Sequence, residues 1–316
     1  YKGSEIYARK NCIRPFDKTQ RLYIYQEVNI LINVQHPTIV PFKGYSIIDE
    51  IIYIYTQYMP NGSLDTLIDK GINNFDPTKK QIILVGIARG MMLLHKKLVI
   101  HRDLKPQNVL LDKDFRPKIC DFGLSKFFNS NDQKKLNSFV GTISYMSPEV
   151  IKGEEYDNKA DVYSFGLLMY EVVNEDGCRA YPLDLYKNAS KLQKKIEEGL
   201  KPDFTKVKKK SLRRMIKFCL SDNPNKRPSF AEIYNKLSLS GELFFIETGN
   251  GVSQPIINED ESESEDESDS DDLDSDDEKY DENDEVTQLD DKYCLDGIDL
   301  AEFQDYINEI EEEIEI

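Results

Sequence analysis

The chain contains 316 residues, of which 39% are hydrophobic and 31% charged, and its formal net charge at pH 7 is −17. Its five cysteines have no paired spacing and it holds only three histidines, which argues against a structural zinc site and indicates reduced thiols in a cytoplasmic or nuclear protein. Because no apolar run reaches membrane-spanning length, we expect no membrane segment in this sequence.

The net charge combines two regions of opposite sign. Residues 259–316 hold 29 Asp and Glu but two Lys, whereas residues 1–258 hold 39 Lys and Arg and 29 Asp and Glu. Residues 259–285 are low-complexity Glu, Asp and Ser, which cannot bury enough apolar surface to fold. We therefore predict four parts: a folded domain over 1–240, a linker over 241–258, an acidic disordered segment over 259–297, and an acidic amphipathic helix over 298–316.

Several elements of the domain can be predicted in chain order. A helix that precedes His36-Pro37 should end there, because proline cannot continue a helix. Residues 51–56 are apolar, β-branched and aromatic, which favours a strand. Residues 82–94 are apolar nearly all round and predict a buried helix, with a start near residues 76–78. Residues 212–220 show helical spacing with basic side chains on the solvent face.

Two short motifs carry the chemistry. Residues 101–108 read His-Arg-Asp-Leu-Lys-Pro-Gln-Asn, and residues 121–123 read Asp-Phe-Gly. Phosphoryl transfer requires a carboxylate at the attacking hydroxyl, a cation on the migrating group and two oxygen ligands for Mg²⁺. The side chains that can supply these groups are Asp103, Lys105, Asn108 and Asp121. The motifs resemble the catalytic loop and the metal-binding loop of eukaryotic protein kinases.

The resemblance covers residues 1–238 in the family order. It implies an α+β, two-lobed protein-kinase-like fold with a small, mostly β lobe over 1–58 and a large helical lobe over 59–240. It also implies an ion pair between Lys10 and Glu27. A second implied pair joins Glu149, which follows Ser147-Pro148, to Arg227.

The resemblance further implies that ATP and Mg²⁺ are used. Asp103 would orient the substrate hydroxyl and accept its proton, and Lys105 would stabilise charge on the γ-phosphoryl group. Lys10 would grip the α- and β-phosphates, while Asn108 and Asp121 would hold the metal. The implied nucleotide-binding residues are Ala8, Lys10, Thr56 as gatekeeper, Gln57 and Met59 in the hinge, Leu110 and Asp121. His101 is expected to be structural, stacked with Leu31 and Phe122 in an apolar column that Asp161 anchors.

Two positions favour serine and threonine as acceptors. Lys105 stands where tyrosine kinases have other patterns, and Thr142 stands where Ser/Thr kinases place a threonine against the catalytic loop. Residues 145–149 and 161–166 nevertheless resemble the tyrosine-kinase-like group, so the best fit is a Ser/Thr kinase of that group, with proteins as substrates and a role in signal transduction.

Activation by phosphorylation is one expectation. Arg102 precedes the catalytic aspartate, and in kinases of this type it often awaits an activation-segment phosphate. Ser138 is the first candidate acceptor and Ser130 the second. The alternative is an activation segment that is ordered without modification.

The sequence departs from the family at its start. Residues 1–3 resemble the strand after the glycine-rich loop, and that loop is absent. We expect that the chain is a fragment of a longer protein; the alternative is a protein whose small lobe is truncated. The competing interpretation is a catalytically impaired, kinase-like scaffold that binds partners through the large lobe and the tail, against which the intact Asp103, Asn108, Asp121 and Lys10 argue.

The acidic tail leaves three interpretations open. It is a solubilising segment, a docking segment for basic partners, or an intramolecular ligand of the lysine-rich stretch over 191–217. Nucleic acid is not an expected partner, because that basic stretch lacks interleaved aromatic residues and the tail would compete for it.

Overall fold

The computed structural model describes residues 6–12, 18–48, 51–72, 75–127, 136, 140–238 and 299–312. The expected linker, the acidic segment and the candidate phosphorylation sites Ser130 and Ser138 lie outside these residues. Among the helices described, none combines the length and the apolar character needed to cross a membrane.

The small lobe is a three-stranded antiparallel sheet with one helix. Its elements are β1 (Tyr7–Cys12), α1 (Lys18–Asn33), β2 (Phe42–Ile48) and β3 (Ile51–Gln57), and the strand order is β1-β3-β2. In β3 the side chains of Ile52 and Ile54 are buried, as expected where one face of a sheet covers a core. The register places Ala8 opposite Thr56 and Lys10 opposite Ile54, so both residues of β1 are fixed relative to the end of β3.

The large lobe is built around two buried helices, α3 (Pro77–Lys96) and α5 (Lys159–Val173). Helix α3 begins where the sequence predicts, because Asp76 accepts the Thr78 and Lys79 amides and Pro77 occupies the first turn. The remaining elements are α2 (Leu64–Asp69), β4 (Val99–Ile100), β5 (Val109–Leu111), β6 (Pro117–Ile119), β7 (Lys126–Phe127), α4 (Pro148–Ile151), α6 (Leu183–Tyr186), α7 (Ala189–Glu197), α8 (Lys210–Cys219) and α9 (Phe230–Leu237). The fold is therefore the two-lobed α+β arrangement that the sequence predicts.

A last helix, α10 (Leu300–Glu312), lies within the expected acidic helix and belongs to the same compact unit as residues 6–238. It packs on α3 with Phe303, Tyr306, Ile307 and Ile310 buried. Gly86 of α3 makes this approach possible, because a Cβ there would overlap the Tyr306 hydroxyl and the Pro117 ring. The polar partners of this helix include Arg116 and Tyr234, which lie outside the lysine-rich stretch 191–217.

His36 makes the packing beneath α10 sensitive to pH. Burial, together with the charges of Arg89 and Lys118, lowers the pKa of His36 from 6.5 to about 4, although the Ile310 main chain opposes the shift. The unfolded chain therefore takes up a proton near pH 6.5 that the folded chain takes up only near pH 4. The free energy of unfolding should consequently fall as the pH falls through this window, by about 2 kcal/mol between pH 7 and pH 5 from this group.

The measurement is urea denaturation of the wild type and of His36→Asn at pH 7 and pH 5. In the wild type the Thr38 amide donates to His36 Nδ1 at 3.2 Å. The asparagine side chain keeps an oxygen that can accept from the same amide. The wild type should lose about 2 kcal/mol more than the variant over this interval. Parallel pH dependences in the two proteins would show that His36 titrates normally.

Candidate active site

The two motif loops meet because β5 and β6 form an antiparallel hairpin. Val109 pairs with Ile119 in this hairpin, and the Cys120 amide donates to the Asn108 carbonyl at 3.0 Å. The last residue of the first motif therefore lies beside the residue that precedes Asp121. Because the strands are short, Asn108 and Asp121 both lie at one end of the hairpin, where backbone pairing fixes their positions.

Asp103, Lys105 and Thr142 form a connected cluster. Lys105 Nζ lies 2.6 Å from Asp103 Oδ2 and 2.6 Å from Thr142 Oγ1, and Thr142 Oγ1 donates to Asp103 Oδ1 at 2.8 Å. Asn108 Nδ2 donates to the Asp103 carbonyl at 2.8 Å. Both carboxylate oxygens of a nearly buried aspartate are thus oriented, which is the arrangement that a proton-accepting group requires.

Lys10 joins the two lobes through charge. Its Nζ lies 2.8 and 2.9 Å from the two Glu27 carboxylate oxygens and 2.6 Å from Asp121 Oδ1. Burial alone would lower the pKa of Lys10, but the two carboxylates raise it above its ordinary value. Burial raises the pKa of Glu27, and the two short Lys10 contacts oppose that shift, so we assign a charged pair. Nearly half of the Lys10 side chain stays accessible to a ligand.

Neutralising Glu27 tests this pair. Glu27→Gln keeps the shape and one acceptor but replaces a charge-assisted contact by a neutral one, a loss of about 1–2 kcal/mol. We expect phosphoryl-transfer kcat/KM to fall by about 5- to 30-fold. Initial rates at varied ATP concentration provide the measurement. The exposed Glu197→Gln is the matched control and should retain the wild-type rate; equal rates for both variants would contradict a role for the pair.

Asp121 adopts a left-handed backbone conformation with φ 61° and ψ 72°, which is uncommon for a residue other than glycine. Burial alone would raise the pKa of Asp121, but Lys10 holds it below its ordinary value. The carboxylate is therefore ionised at neutral pH. Strained backbone of this kind persists where the surrounding structure fixes it, here at the end of β6.

Asn108 and Asp121 supply one amide and one carboxylate for a divalent cation. Mg²⁺ is typically bound by one or two protein carboxylate or carbonyl oxygens and completed by phosphate and water oxygens. The residues fit that pattern. No group of three or more His, Cys, Asp or Glu side chains that could hold a metal occurs in the part of the chain that the structure describes.

The predicted nucleotide-binding residues lie where the lobes join. Ala8 is paired with Thr56, and Tyr7 with Gln57, at the end of the small sheet. Met59 is buried, and Leu110 forms an isolated bridge with Ser63 at the start of α2. The structure therefore brings β1, the segment after β3 and strand β5 to one junction, next to Lys10 and Asp121.

Asp161, near the start of α5, fixes the backbone of the catalytic loop. Its carboxylate accepts the His101 and Arg102 amides at 2.8 Å each. The His101 ring contacts Phe122 with centroids 5.4 Å apart and approaches the Cys120 carbonyl at 3.1 Å, so it is structural as predicted. Burial would raise the pKa of Asp161, but a contact with His95 and the nearby His101 lower it.

His95 is a positioning residue that sequence reasoning missed. It lies in the last turn of α3, and its Nε2 is 2.9 Å from Asp161 Oδ2. The two residues are 66 positions apart and belong to no common motif, so only the packing of α3 against α5 brings them together. A histidine directly after the largely apolar run 82–94 was the single available signal.

The expected regulatory residues lie partly within the described chain. Arg102 has a left-handed backbone with φ 67°, and its Nε donates to the Leu124 carbonyl at 2.5 Å. Thr142 contacts the catalytic loop, as described above. The roles of Arg102 and Thr142 in activation, and the phosphorylation of Ser138, stay predictions.

Comparison with known proteins places this site in a family. Residues 1–237 match the family model of the protein kinase domain. A probable serine/threonine-protein kinase of Dictyostelium discoideum is 32% identical over 76% of this chain and 22% of its own length. The probable serine/threonine-protein kinase drkC of the same organism is 36% identical over 67% of this chain and 28% of its own length. The serine/threonine-protein kinase VIK of Arabidopsis thaliana is 34% identical over 75% of this chain and 55% of its own length. The chain thus spans about a fifth to a half of these relatives.

Proposed function

This chain belongs to the protein kinase family, and we propose that it transfers the γ-phosphoryl group of ATP to serine and threonine hydroxyls of proteins, in a signalling role. The observation that carries this proposal is the bridge that Lys105 makes between Asp103 and Thr142. Through this bridge the proposed proton acceptor Asp103, the cation Lys105 and the activation-segment residue Thr142 lie within hydrogen-bond distance of one another.

In the proposed reaction, the acceptor hydroxyl attacks the γ-phosphorus while the bond to the β-phosphate oxygen breaks. Asp103 orients this hydroxyl and accepts its proton. Lys105 neutralises charge on the γ-phosphoryl oxygens, and Lys10, fixed by Glu27, binds the α- and β-phosphates. The product is a phosphorylated protein. ADP leaves with the electron pair of the broken bond, so the negative charge resides on its terminal phosphate oxygen.

Protein kinases in general use Mg²⁺, and Asn108 and Asp121 are the residues that would hold it. When bound, the cation neutralises the phosphate oxygens and favours departure of ADP. Asp121 is suited to this task because Lys10 keeps its carboxylate ionised, and because its position is fixed by the β5–β6 hairpin.

The acceptor class and the group are proposed on sequence features. Lys105 and Thr142 favour serine and threonine, and the names of the similar proteins from Dictyostelium discoideum and Arabidopsis thaliana agree with that class. The segments at 145–149 and 161–166 favour the tyrosine-kinase-like group.

The test is incubation with ATP and Mg²⁺ and three peptides that differ only in a serine, threonine or tyrosine acceptor. Phosphate should appear on the serine and threonine peptides. Transfer to tyrosine alone would overturn the acceptor class. No transfer to any peptide or to the chain itself, although nucleotide binds, would favour the kinase-like scaffold instead.

A further inference from the structure

We propose that the face of the large lobe formed by α3, α9 and the β5–β6 turn is a docking surface for an acidic amphipathic helix. Its occupant is this chain's own residues 299–312. When these residues are docked, they stabilise the conformation of the segment that connects α1 to β2. The inference concerns binding and does not depend on which hydroxyl the protein phosphorylates. We call the α1–β2 connection, residues 34–41, the pivot segment.

The apolar half of the surface is closely matched to the helix. Phe303, Tyr306, Ile307 and Ile310 recur at three- and four-residue spacing, and each is at most 3% exposed. Tyr306 lies in the space that Gly86 leaves open beside Pro117. Glycine inside α3 weakens helix propensity, so its presence here is explained by the close approach of both Tyr306 and the Pro117 ring.

The rim supplies the charge complementarity. Glu309 forms an ion pair with Arg116, whose guanidinium also lies 5.6 Å from the Tyr306 ring centroid. Tyr234 of α9 donates to Glu311 at 2.7 Å, and the Asp299 amide donates to Thr78 Oγ1 at 2.6 Å. Each end of the helix therefore has its own polar partner. An acidic helix is selected because Arg116 and Arg89 lie on this face of the lobe.

The surface is connected to the pivot segment by direct contacts. The Tyr306 hydroxyl lies beside the Pro117 ring of β6, and His36, which lies near the Ile310 main chain, has its Nδ1 2.7 Å from Thr38 Oγ1. The Thr38 carbonyl accepts the Ile119 amide at 2.8 Å, and Lys118 donates to the Pro37 carbonyl at 2.5 Å. The pivot segment thus lies between α10 and β6, which leads directly to Asp121.

Helix α1 carries Glu27 and ends at the pivot segment, so an ordered pivot favours the position in which Glu27 meets Lys10. The structure contains both features together: α10 docked, and the Lys10–Glu27 pair formed. Undocking should therefore loosen the pivot and lower the fraction of chains in which the pair is in place.

The interface between α10 and the large lobe contains features that weaken the association and allow α10 to dissociate. Within the described ranges, two buried side-chain polar atoms at this interface lack a hydrogen-bond partner, Arg89 Nε and Tyr306 Oη. Unpaired buried polar atoms weaken association. A 13-residue helix is also marginal on its own, so α10 should lose its structure when it leaves the surface.

The experiment is hydrogen–deuterium exchange of the full chain, with Ile310→Asp compared with Ala301→Asp. Both variants add one carboxylate to α10, but Ile310 is fully buried and Ala301 is exposed. In Ile310→Asp, amides of 300–312 and of the pivot segment should exchange at least about tenfold faster, because a charge is excluded from the apolar interface. Ala301→Asp should exchange as the wild type does.

A second variant keeps the inference testable if Ile310→Asp unfolds the protein. Tyr306→Phe removes an unpaired buried hydroxyl and leaves the ring, so amides of 300–312 should exchange more slowly than in the wild type. For folded Ile310→Asp, kcat/KM should fall by roughly 2- to 30-fold, which corresponds to coupling energies of about 0.5–2 kcal/mol.

Three outcomes would overturn the inference. The first is unprotected exchange of residues 300–312 in the wild type. The second is a pivot segment whose exchange is unchanged when α10 loses protection. The third is protection of 300–312 that appears only with rising protein concentration and a dimeric mass, which would assign the helix to a second copy. The exchange readouts need no catalysis, so a failure of the proposed activity would leave them interpretable.

Discussion

Replacement of Asp103 by Asn should lower the rate of phosphoryl transfer by about 10²- to 10⁴-fold, the range that positioned proton acceptors contribute. The amide keeps the size of the side chain; its oxygen can still accept from Lys105 and its NH2 group can donate to Thr142 Oγ1, in place of the two wild-type contacts at 2.6 and 2.8 Å. It cannot accept the proton of the attacking hydroxyl. The loss should therefore appear in kcat, with little change in KM for ATP.

The measurement is the initial rate of phosphate incorporation into a serine peptide, with phosphosites on the chain itself mapped by mass spectrometry. Asp114→Asn is the matched control, because Asp114 is an exposed carboxylate that pairs with its neighbour Lys113. That variant should retain the wild-type rate. If Asp103→Asn kept even a tenth of the wild-type rate, another group would be the proton acceptor.

The residues that the sequence located best are those whose position depends on local chain geometry. Asp103, Lys105 and Asn108 lie within one loop, and β5 and β6 bring Asp121 to that loop through a short hairpin. The start of α3 was equally predictable, since Asp76 and Pro77 act on the adjacent backbone. Short-range rules are sufficient where the interacting residues are close in sequence.

The remainder depends on contacts between distant segments. His95 reaches Asp161 only because α3 and α5 cross, and nothing near either residue encodes that crossing. The acidic helix was predicted from its spacing, but its place was not. Net charge suggested the lysine-rich stretch as a site for the acidic tail, and this stays a prediction because residues 259–298 lie outside the described residues; α10 itself lies on the face with Gly86 and Arg116. The shape of the surface explains the position of α10, because Gly86 leaves room for Tyr306, whereas surface lysines offer only screened electrostatic attraction.

Removal of Arg227 should cost about 3–5 kcal/mol of unfolding free energy, since it leaves the buried Glu149 carboxylate without a counter-charge. The two side chains meet in a bidentate contact at 2.6 and 2.8 Å, with Arg227 fully buried. Burial would raise the pKa of Glu149, but Arg227 holds it below its ordinary value. Urea denaturation of Arg227→Met at pH 7 measures the loss. Arg214→Met, the same change at an exposed position, should stay within about 0.5 kcal/mol of the wild type.

The pH dependence separates loss of charge compensation from loss of packing. Because the folded pKa of Glu149 is depressed, the pair stabilises the wild type above the ordinary glutamate pKa and less as the pH falls. In Arg227→Met the carboxylate is unpaired, and protonation relieves it. The difference in unfolding free energy between the two proteins should therefore shrink from pH 7 toward pH 4.5. A difference that stays constant would mean that Arg227 acts through the Ser221 and Lys159 carbonyls, to which it donates at 2.8 and 3.0 Å, and not through Glu149.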